Sequence, residues 1–215
     1  MDGFEMKILI IGATGGTGTA IVGQALSQGH AVTVLVRNPA KMTIMHEQLV
    51  VVKGNVLDYD SVDQAVQGHD AIVSALGHKQ FFLKNRILSD GTKNIIRAME
   101  KHKLKRLIFE SSLGVGDSRG KLGLYYTLFV IPFIIFYYYE DKELAERYIM
   151  ESSLDWTIVR PGQLTNGKKR GVYREGLNVG NWFSSVRISR ADVANFMLKQ
   201  LTDNSYLKKT PGVAY

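Results

Sequence analysis

The sequence predicts an α/β fold, in which helices cover both faces of a doubly wound parallel β-sheet. Short apolar segments of strand length alternate along the chain with segments of helical periodicity. The strand-like segments are apolar on both faces, which is typical of parallel strands buried between helices. A glycine-rich turn directly follows the first of them. These observations favour one domain over residues 1–215, a length that suits a single core.

The predicted strands are rich in β-branched residues. They cover residues 6–11, 31–36, 49–54, 70–76, 106–111 and 156–160. Helices are predicted between them, and a further helix follows the last strand. The helices cover residues 17–29, 60–68, 89–103, 141–153 and 189–201. The last helix has a clear start signal, because Ser189 and Asp192 have the spacing of a capping box.

The composition excludes several kinds of chemistry. The chain has no cysteine, so it has no disulfide, thiolate metal site or cysteine nucleophile. The histidines lack metal-ligand spacing, and no metal site is predicted. Redox chemistry would therefore need a bound cofactor. The beginning of the chain lacks the features of a secretory signal, so we expect a cytoplasmic protein.

The net charge of the chain indicates which classes of partner it could bind. The formal net charge of +7 is compatible with nucleic acid, an acidic membrane surface or a phosphorylated small molecule. The basic clusters at 101–106 and 168–170 are interpreted as a solvated helix end and a solvated loop. No nucleic-acid partner is predicted, because basic runs alone are weak evidence for one.

The motif GATGGTG lies between the first strand and the first helix. Gly12, Gly15 and Gly18 repeat at every third position, and Gly16 is an additional glycine. Glycines at such a turn let the backbone approach a pyrophosphate at the start of the helix. The position of the motif at the head of a repeated β/α pattern supports a Rossmann-type dinucleotide site.

The second strand predicts which dinucleotide is bound. NAD sites usually have a carboxylate at the end of this strand, whereas this sequence has Arg37 there. A guanidinium group can hold the 2′-phosphate of NADP(H), which we therefore expect as the cofactor. The alternative is that Arg37 is an ordinary surface residue. After the third strand, Asn55 and Val56 lie where the edge of the adenine ring would be. Asp58 either contacts the adenine as well or caps the next helix.

Further motifs carry a family resemblance over nearly the whole chain. They are VTVLVRNP, GNVLD, SALG, RLIFESS, ESSLDWTIVRPG and RISRADVANFML. With the glycine loop, they resemble the atypical short-chain dehydrogenase/reductases, namely the NmrA-like proteins and the biliverdin-IX-beta/flavin reductases. The resemblance implies a single Rossmann-type domain with a small substrate-side lobe, built from segments of about 117–140 and 162–188.

The resemblance also implies positions for the cofactor contacts. It places residues of the glycine loop on the pyrophosphate and Arg37 on the 2′-phosphate. It places the loop after the fourth strand beside the ribose, and residues after the fifth and sixth strands near the nicotinamide. These residues are, in chain order, Gly12, Thr14, Gly15, Thr17, Gly18, Ala75, Leu76, Gly77, Ser111, Ser112, Pro161 and Gly162.

The segment 122–139 is nearly apolar enough to cross a membrane. A span here would separate the last predicted strand from the other five, and the sheet would be incomplete. Pro132 and the tyrosines of the segment also favour a folded location. We therefore predict no membrane span. An exposed apolar surface for a protein partner or for self-association remains open.

Ser112, Tyr138 and Lys142 are the candidate catalytic residues. Tyr138, Lys142 and Glu146 have the Y-x-x-x-K-x-x-x-E spacing of the extended short-chain dehydrogenases. On a helix, Lys142 would share a face with Tyr138 and could depress the pKa of its phenol. Ser112 would polarise the reacting group while Tyr138 donates a proton. The alternative is a chance match, since three consecutive tyrosines precede the lysine and atypical members commonly lack the catalytic tyrosine.

Three functions follow from these features. The favoured one is an NADPH-dependent reductase that acts on a planar aromatic, flavin-like or quinone-like acceptor. Trp182 is a candidate to stack on the acceptor, and His78 follows the SALG loop at the lip of the cleft. The second is a non-catalytic NADP(H) sensor of the NmrA type. The third, a sugar-nucleotide epimerase, is disfavoured because it usually requires NAD and a larger substrate domain.

Overall fold

The computed structural model describes residues 5–78 and 80–215, and an eight-stranded sheet lies at its centre. The strands in this part of the chain are β1 (Lys7–Ile11), β2 (Ala31–Val36), β3 (Leu49–Lys53), β4 (Ala71–Ser74), β5 (Arg106–Glu110), β6 (Asp155–Pro161), β7 (Gln163–Thr165), β8 (Arg174–Gly176), β9 (Arg187–Ser189) and β10 (Gly212–Ala214). The order in the main sheet is β3-β2-β1-β4-β5-β6-β10-β8. Only β8 runs antiparallel to its neighbour, and β7 and β9 form a separate parallel pair.

Helices cover both faces of this sheet. They are α1 (Gly16–Ser27), α2 (Tyr59–Val66), α3 (Ile87–Lys101), α4 (Ile131–Phe133), α5 (Phe136–Glu151) and α6 (Arg190–Lys199). Helices α1 and α6 pack together on one face, and α3 lies between α2 and α5 on the other. The alternation of β1 fits this arrangement, since Ile8 and Ile10 are buried in one cluster and Leu9 and Ile11 in the other. The predicted doubly wound α/β fold is therefore confirmed.

The direction of the strand order changes at β1, which pairs with β2 on one side and β4 on the other. The loops that follow β1 and β4 consequently meet at the carboxyl end of the sheet. The amide of Ala75, just after β4, donates a hydrogen bond of 2.9 Å to the carbonyl oxygen of Ile11. Ligands of open α/β sheets bind in the crevice at such a switch point.

The late segments of the chain form a small third cluster beside this crevice. Its buried members are Leu113, Leu122, Val179, Val186 and Ala214. The cluster joins the part of the chain after β5 to the part after β7, and Leu122 forms a bridge with Asn181. That these segments hold a substrate is a prediction.

The apolar segment 122–139 is divided into short pieces. A π-helical turn covers Tyr126–Val130, and α4 and the start of α5 follow. Among the residues that the structure describes, no helix is long and apolar enough to cross a membrane. Many of the apolar side chains of the segment are exposed. They are Leu124, Tyr125, Leu128, Phe129, Phe133, Ile134, Phe136 and Tyr137, here called the apolar surface.

Candidate nucleotide and catalytic site

The glycine loop is shaped so that side chains are excluded from it. Gly12 has φ +84°, and a Cβ atom there would lie 2.2 Å from the carbonyl oxygen of Ala75. A Cβ atom on Gly18 would lie 2.1 Å from the carbonyl oxygen of Gly12. The loop closes on itself, because the amide of Gly15 donates a hydrogen bond of 3.0 Å to the same oxygen. Thr14, Gly15 and Gly16 remain exposed, whereas Thr17 and Gly18 are buried.

This loop fits the pyrophosphate of a dinucleotide. The first turn of α1 contains no acidic residue, so nothing in that turn opposes an anion. The exposed backbone of the loop lies at the start of the helix, where unpaired amide groups favour negative charge. The close approach of the loops after β1 and β4 leaves room there for backbone only.

The residues predicted to contact the adenine end of the nucleotide lie at the carboxyl end of the sheet, as the glycine loop does. Arg37 is exposed directly after β2. Asn55 is exposed, and its side-chain oxygen accepts a hydrogen bond of 3.2 Å from the amide of Leu57. Val56 is buried and packs near Gly91 of α3. Asp58 caps α2, because its carboxylate accepts a hydrogen bond of 3.2 Å from the amide of Asp60.

The predicted nicotinamide end contains an unpaired buried hydroxyl group. The amide of Ser111 donates a hydrogen bond of 2.7 Å to Val159, but its hydroxyl group is buried and has no partner among the described residues. The carbonyl oxygen of Pro161 accepts a hydrogen bond of 2.9 Å from the amide of Leu113. Because an unpaired buried hydroxyl is costly, that of Ser111 is a suitable donor for a bound group.

Tyr138 belongs to a group of aromatic rings beside the cleft. Its ring meets His78 edge-on with centroids 4.9 Å apart, and Phe81 with centroids 5.3 Å apart. Its hydroxyl oxygen lies 3.3 Å from where a Cβ atom on Gly77 would be. Burial lowers the pKa of His78, whose Nε2 atom has no partner among the described residues. The aromatic group therefore lies next to the loop that is predicted to contact the ribose.

Ser112 has a hydrogen-bond partner on α5. Its role in polarising the reacting group stays a prediction. The hydroxyl groups of Ser112 and Tyr139 are 2.8 Å apart, and that of Tyr139 donates to the carbonyl oxygen of Leu113 at 3.0 Å. Ser112 is thus held by the adjacent tyrosine. Three consecutive tyrosines in the sequence give no sign of which one faces this serine.

The pKa of Tyr138 is raised, whereas Lys142 was expected to depress it. Burial raises the pKa of Tyr138, and the charges of Glu110 and Asp141 raise it further. The Lys142 ammonium group lies over the face of the Tyr138 ring, 5.3 Å from its centroid. It donates a hydrogen bond of 2.8 Å to the carbonyl oxygen of Ser111.

Glu110 is a buried charged residue that the sequence reasoning missed. Its carboxylate accepts a hydrogen bond of 2.9 Å from the hydroxyl group of Thr17, at the start of α1. Burial raises the pKa of Glu110 and lowers that of Lys142, and the charge of each residue opposes the shift of the other. Glu110 is therefore bonded to the start of α1 and lies near enough to Lys142 for each charge to affect the other. Glu110 could have been found from the sequence, because it is an acidic residue at the carboxyl end of an otherwise apolar strand.

A buried ion pair joins α5 to β6, at a position one helical turn after Lys142. Arg160 of β6 donates to both carboxylate oxygens of Glu146 of α5, at 3.0 and 2.6 Å, and also to Asp117. Arg160 and Glu146 are almost fully buried, with side-chain exposures of 3% and 2%. The last residue of the Y-x-x-x-K-x-x-x-E pattern therefore fixes α5 to the sheet.

Comparisons with known proteins show the family of the chain. Residues 12–204 match the family described as NAD(P)H-binding. Photosystem II assembly factor Ycf39 of Synechocystis sp. is 25% identical over 95% of this chain and 61% of its own length, so the chain spans about three fifths of that relative. Reductase pytE of Aspergillus terreus is 24% identical over the full length of both chains.

A solved structure extends the comparison to the fold. ChuY of Escherichia coli O157:H7, described as an anaerobilin reductase, has a TM-score of 0.80 and 25% identity. The superposition covers 97% of this chain and 96% of ChuY. Since the family match spans most of its length, the chain belongs to the NAD(P)H-binding family, in agreement with the family resemblance seen in its sequence motifs.

Proposed function

We propose that this protein is an NADPH-dependent reductase that transfers hydride to a planar aromatic, flavin-like or quinone-like acceptor. The observation that carries the proposal is the contact between the Gly77 loop and the Tyr138 ring, which joins the nucleotide crevice to an aromatic wall. The reductases among the relatives support the reaction type. Aromatic side chains favour planar acceptors because their rings stack on or pack edge-on against them.

NADPH would supply the hydride from its nicotinamide ring. The glycine loop would hold the pyrophosphate, Arg37 the 2′-phosphate, and the segment Ala75–Gly77 the ribose. The Ser111 hydroxyl group, which is buried and unpaired, would orient the nicotinamide.

The protein side chains would hold and move a proton. Tyr138 would donate the proton from its phenol, which is protonated at neutral pH. Its raised pKa makes it a weaker acid than an exposed tyrosine, so its contribution as an acid depends on its position in the crevice. Lys142 would orient the Ser111 carbonyl group and the Tyr138 ring through the contacts described above. The Ser112 hydroxyl group is hydrogen-bonded to that of Tyr139. Ser112 would contact a substrate while it keeps this hydrogen bond.

The reductase proposal is tested by NADPH oxidation with FMN and a panel of quinones as acceptors. We expect acceptor-dependent loss of the near-ultraviolet absorbance of NADPH, which belongs to the dihydronicotinamide ring that supplies the hydride. NADPH that binds but stays stable with every acceptor would contradict the proposal.

The apolar surface favours a second candidate function, a redox sensor that binds NADP(H) and associates with a protein partner or with itself. A surface patch of eight exposed large apolar side chains is uncommon on a monomer. Sedimentation with and without NADP⁺ or NADPH tests self-association. A nucleotide-dependent change in mass without turnover would favour the sensor, whereas an unchanged mass would remove its main support.

Replacing Arg37 is expected to change cofactor choice. Arg37→Ala should weaken NADPH binding about 10- to 100-fold, because charged hydrogen bonds to the 2′-phosphate are lost. NADH lacks this phosphate, so its binding should stay the same. Nucleotide fluorescence titrations measure both constants. Equal losses for the two nucleotides would contradict the role of Arg37.

Tyr138→Phe is expected to lower kcat about 100-fold for acceptors that require protonation, the lower end of the effect of a general acid. NADPH binding should be unaffected. In the unsubstituted protein, any loss of rate due to ionisation of Tyr138 should occur only above pH 10, because its pKa is raised. Steady-state kinetics across pH measure both effects.

Tyr139→Phe is the matched control for Tyr138→Phe. It removes the hydroxyl group that contacts Ser112 and Leu113. We expect it to cost about 1 kcal/mol of stability with little change in kcat. Equal kcat losses in the two variants would show that Tyr138 has no special role.

A further inference from the structure

Arg190 lies at the glycine loop, although it is distant from it in sequence. It is the first residue of α6, which packs against α1. Ser189 caps this helix by accepting a hydrogen bond of 3.0 Å from the amide of Asp192. The capped turn fixes the backbone from which the Arg190 side chain extends toward α1.

The contact between Arg190 and Gly16 explains the additional glycine of the motif. A Cβ atom on Gly16 would lie 2.6 Å from Cδ and 2.9 Å from Nε of Arg190. A Cβ atom on Gly12 or Gly18 would meet backbone atoms, whereas the three atoms nearest to a Cβ atom on Gly16 all belong to the side chain of Arg190. The glycine at position 16 therefore leaves room for a guanidinium group beside the exposed part of the loop.

The Arg190 guanidinium group has N–H donors that could bind an anion. It donates a hydrogen bond of 2.6 Å to the side-chain oxygen of Asn166, which is neutral. A guanidinium group has five N–H donors, and this bond uses one of them. Its charge is also felt by the buried Glu110, whose carboxylate is bonded to Thr17 at the start of α1.

We propose that Arg190 is a phosphate-binding residue of the nucleotide site and that it binds the pyrophosphate common to NADP(H) and NAD(H). Paired N–H donors suit phosphate oxygens, and the exposed loop backbone beside Arg190 supplies further donors. Arg37 would recognise the 2′-phosphate, and Arg190 the part that both nucleotides share. The proposal rests on the proposed nucleotide site but not on reductase activity.

The proposal also links nucleotide binding to the late segments of the chain. Asn166 directly follows β7, so Arg190 joins the glycine loop to the β7–β9 pair. Pyrophosphate and the Asn166 oxygen would share the donors of one side chain. Arg190 would therefore tie the position of this part of the chain to the bound nucleotide.

The test compares two variants and two nucleotides by fluorescence titration. Arg190→Ala should weaken NADPH and NADH binding by the same factor, about tenfold or more. Arg37→Ala should weaken only NADPH binding. Arg190→Gln keeps much of the side chain that covers Gly16 and removes the charge, so it should weaken both nucleotides even if Arg190→Ala folds poorly. Arg187→Ala, an exposed arginine of β9, is the control and should change neither constant.

The possible results distinguish a failure of the Arg190 proposal from a failure of the proposed nucleotide site. If Arg190→Gln and Arg190→Ala are folded and bind both nucleotides as tightly as the unsubstituted protein, Arg190 only packs on the loop and the proposal is wrong. The same holds if they lose affinity for NADPH alone. If the unsubstituted protein binds neither nucleotide, the proposed nucleotide site is wrong, and this inference with it. Thermal unfolding without nucleotide verifies folding of each variant.

Discussion

Glu146→Ala is expected to lower the free energy of unfolding by about 3–5 kcal/mol, the cost of leaving a buried charge without its partner. The substitution would remove both carboxylate oxygens that accept hydrogen bonds from Arg160. Asp117 is an insufficient replacement, because 79% of its side chain is exposed to solvent. The Arg160 guanidinium group, only 3% exposed, would remain in the interior.

Thermal and urea unfolding measure this effect, and Glu143→Ala is its matched control. Glu143 lies on the same helix but pairs with Arg119, whose side chain is 72% exposed. Breaking that pair should cost about 1 kcal/mol or less. For a protein of this size, each kcal/mol changes Tm by roughly 2–4 °C. Similar Tm losses in the two variants would contradict the structural role assigned to Glu146.

Gly12→Ala is expected to be equally severe, with the added loss of nucleotide binding. The substitution forces a side chain into the left-handed region, which costs of order 1–3 kcal/mol. It also places a Cβ atom 2.2 Å from the carbonyl oxygen of Ala75, so that the loops after β1 and β4 must separate. These loops form the two sides of the predicted nucleotide crevice.

Gly29→Ala separates the cost of conformation from the cost of the clash. Gly29 has φ +81°, but a Cβ atom there would meet nothing within 4 Å. We expect this variant to lose roughly 1 kcal/mol of stability and to bind NADPH normally. Urea unfolding and nucleotide titration distinguish the two variants. Equal stability losses would mean that contact with Ala75 contributes nothing.

Local sequence patterns were sufficient for the first six strands and five of the helices. Their apolar periodicity and glycine punctuation reflect burial on both faces of the sheet, as at Ile8 to Ile11. The three-residue strands β8 and β10 were not predicted, because so short a segment has no period to detect. Strand β10 (Gly212–Ala214) is defined by its position beside β6 and not by its composition.

The candidate site was only partly predictable for a similar reason. The glycine loop has a local motif, and the exposed position of Arg37 after β2 follows from the strand pattern. By contrast, the pairing of Ser112 with Tyr139 depends on how α5 rotates against the sheet, which sequence spacing does not determine. The position of Arg190 depends on the packing of α6 against α1.

In the proposed reaction, hydride passes from NADPH to an acceptor in the crevice beside Tyr138. The most direct measurement follows NADPH in a single turnover with excess protein and an active acceptor, using NADPH that carries either hydrogen or deuterium at C4 of the nicotinamide. We expect that NADPH is consumed, that deuterium slows its consumption, and that NADH reacts far more slowly. NADPH that binds but is not consumed, or NADH that reacts equally well, would contradict it.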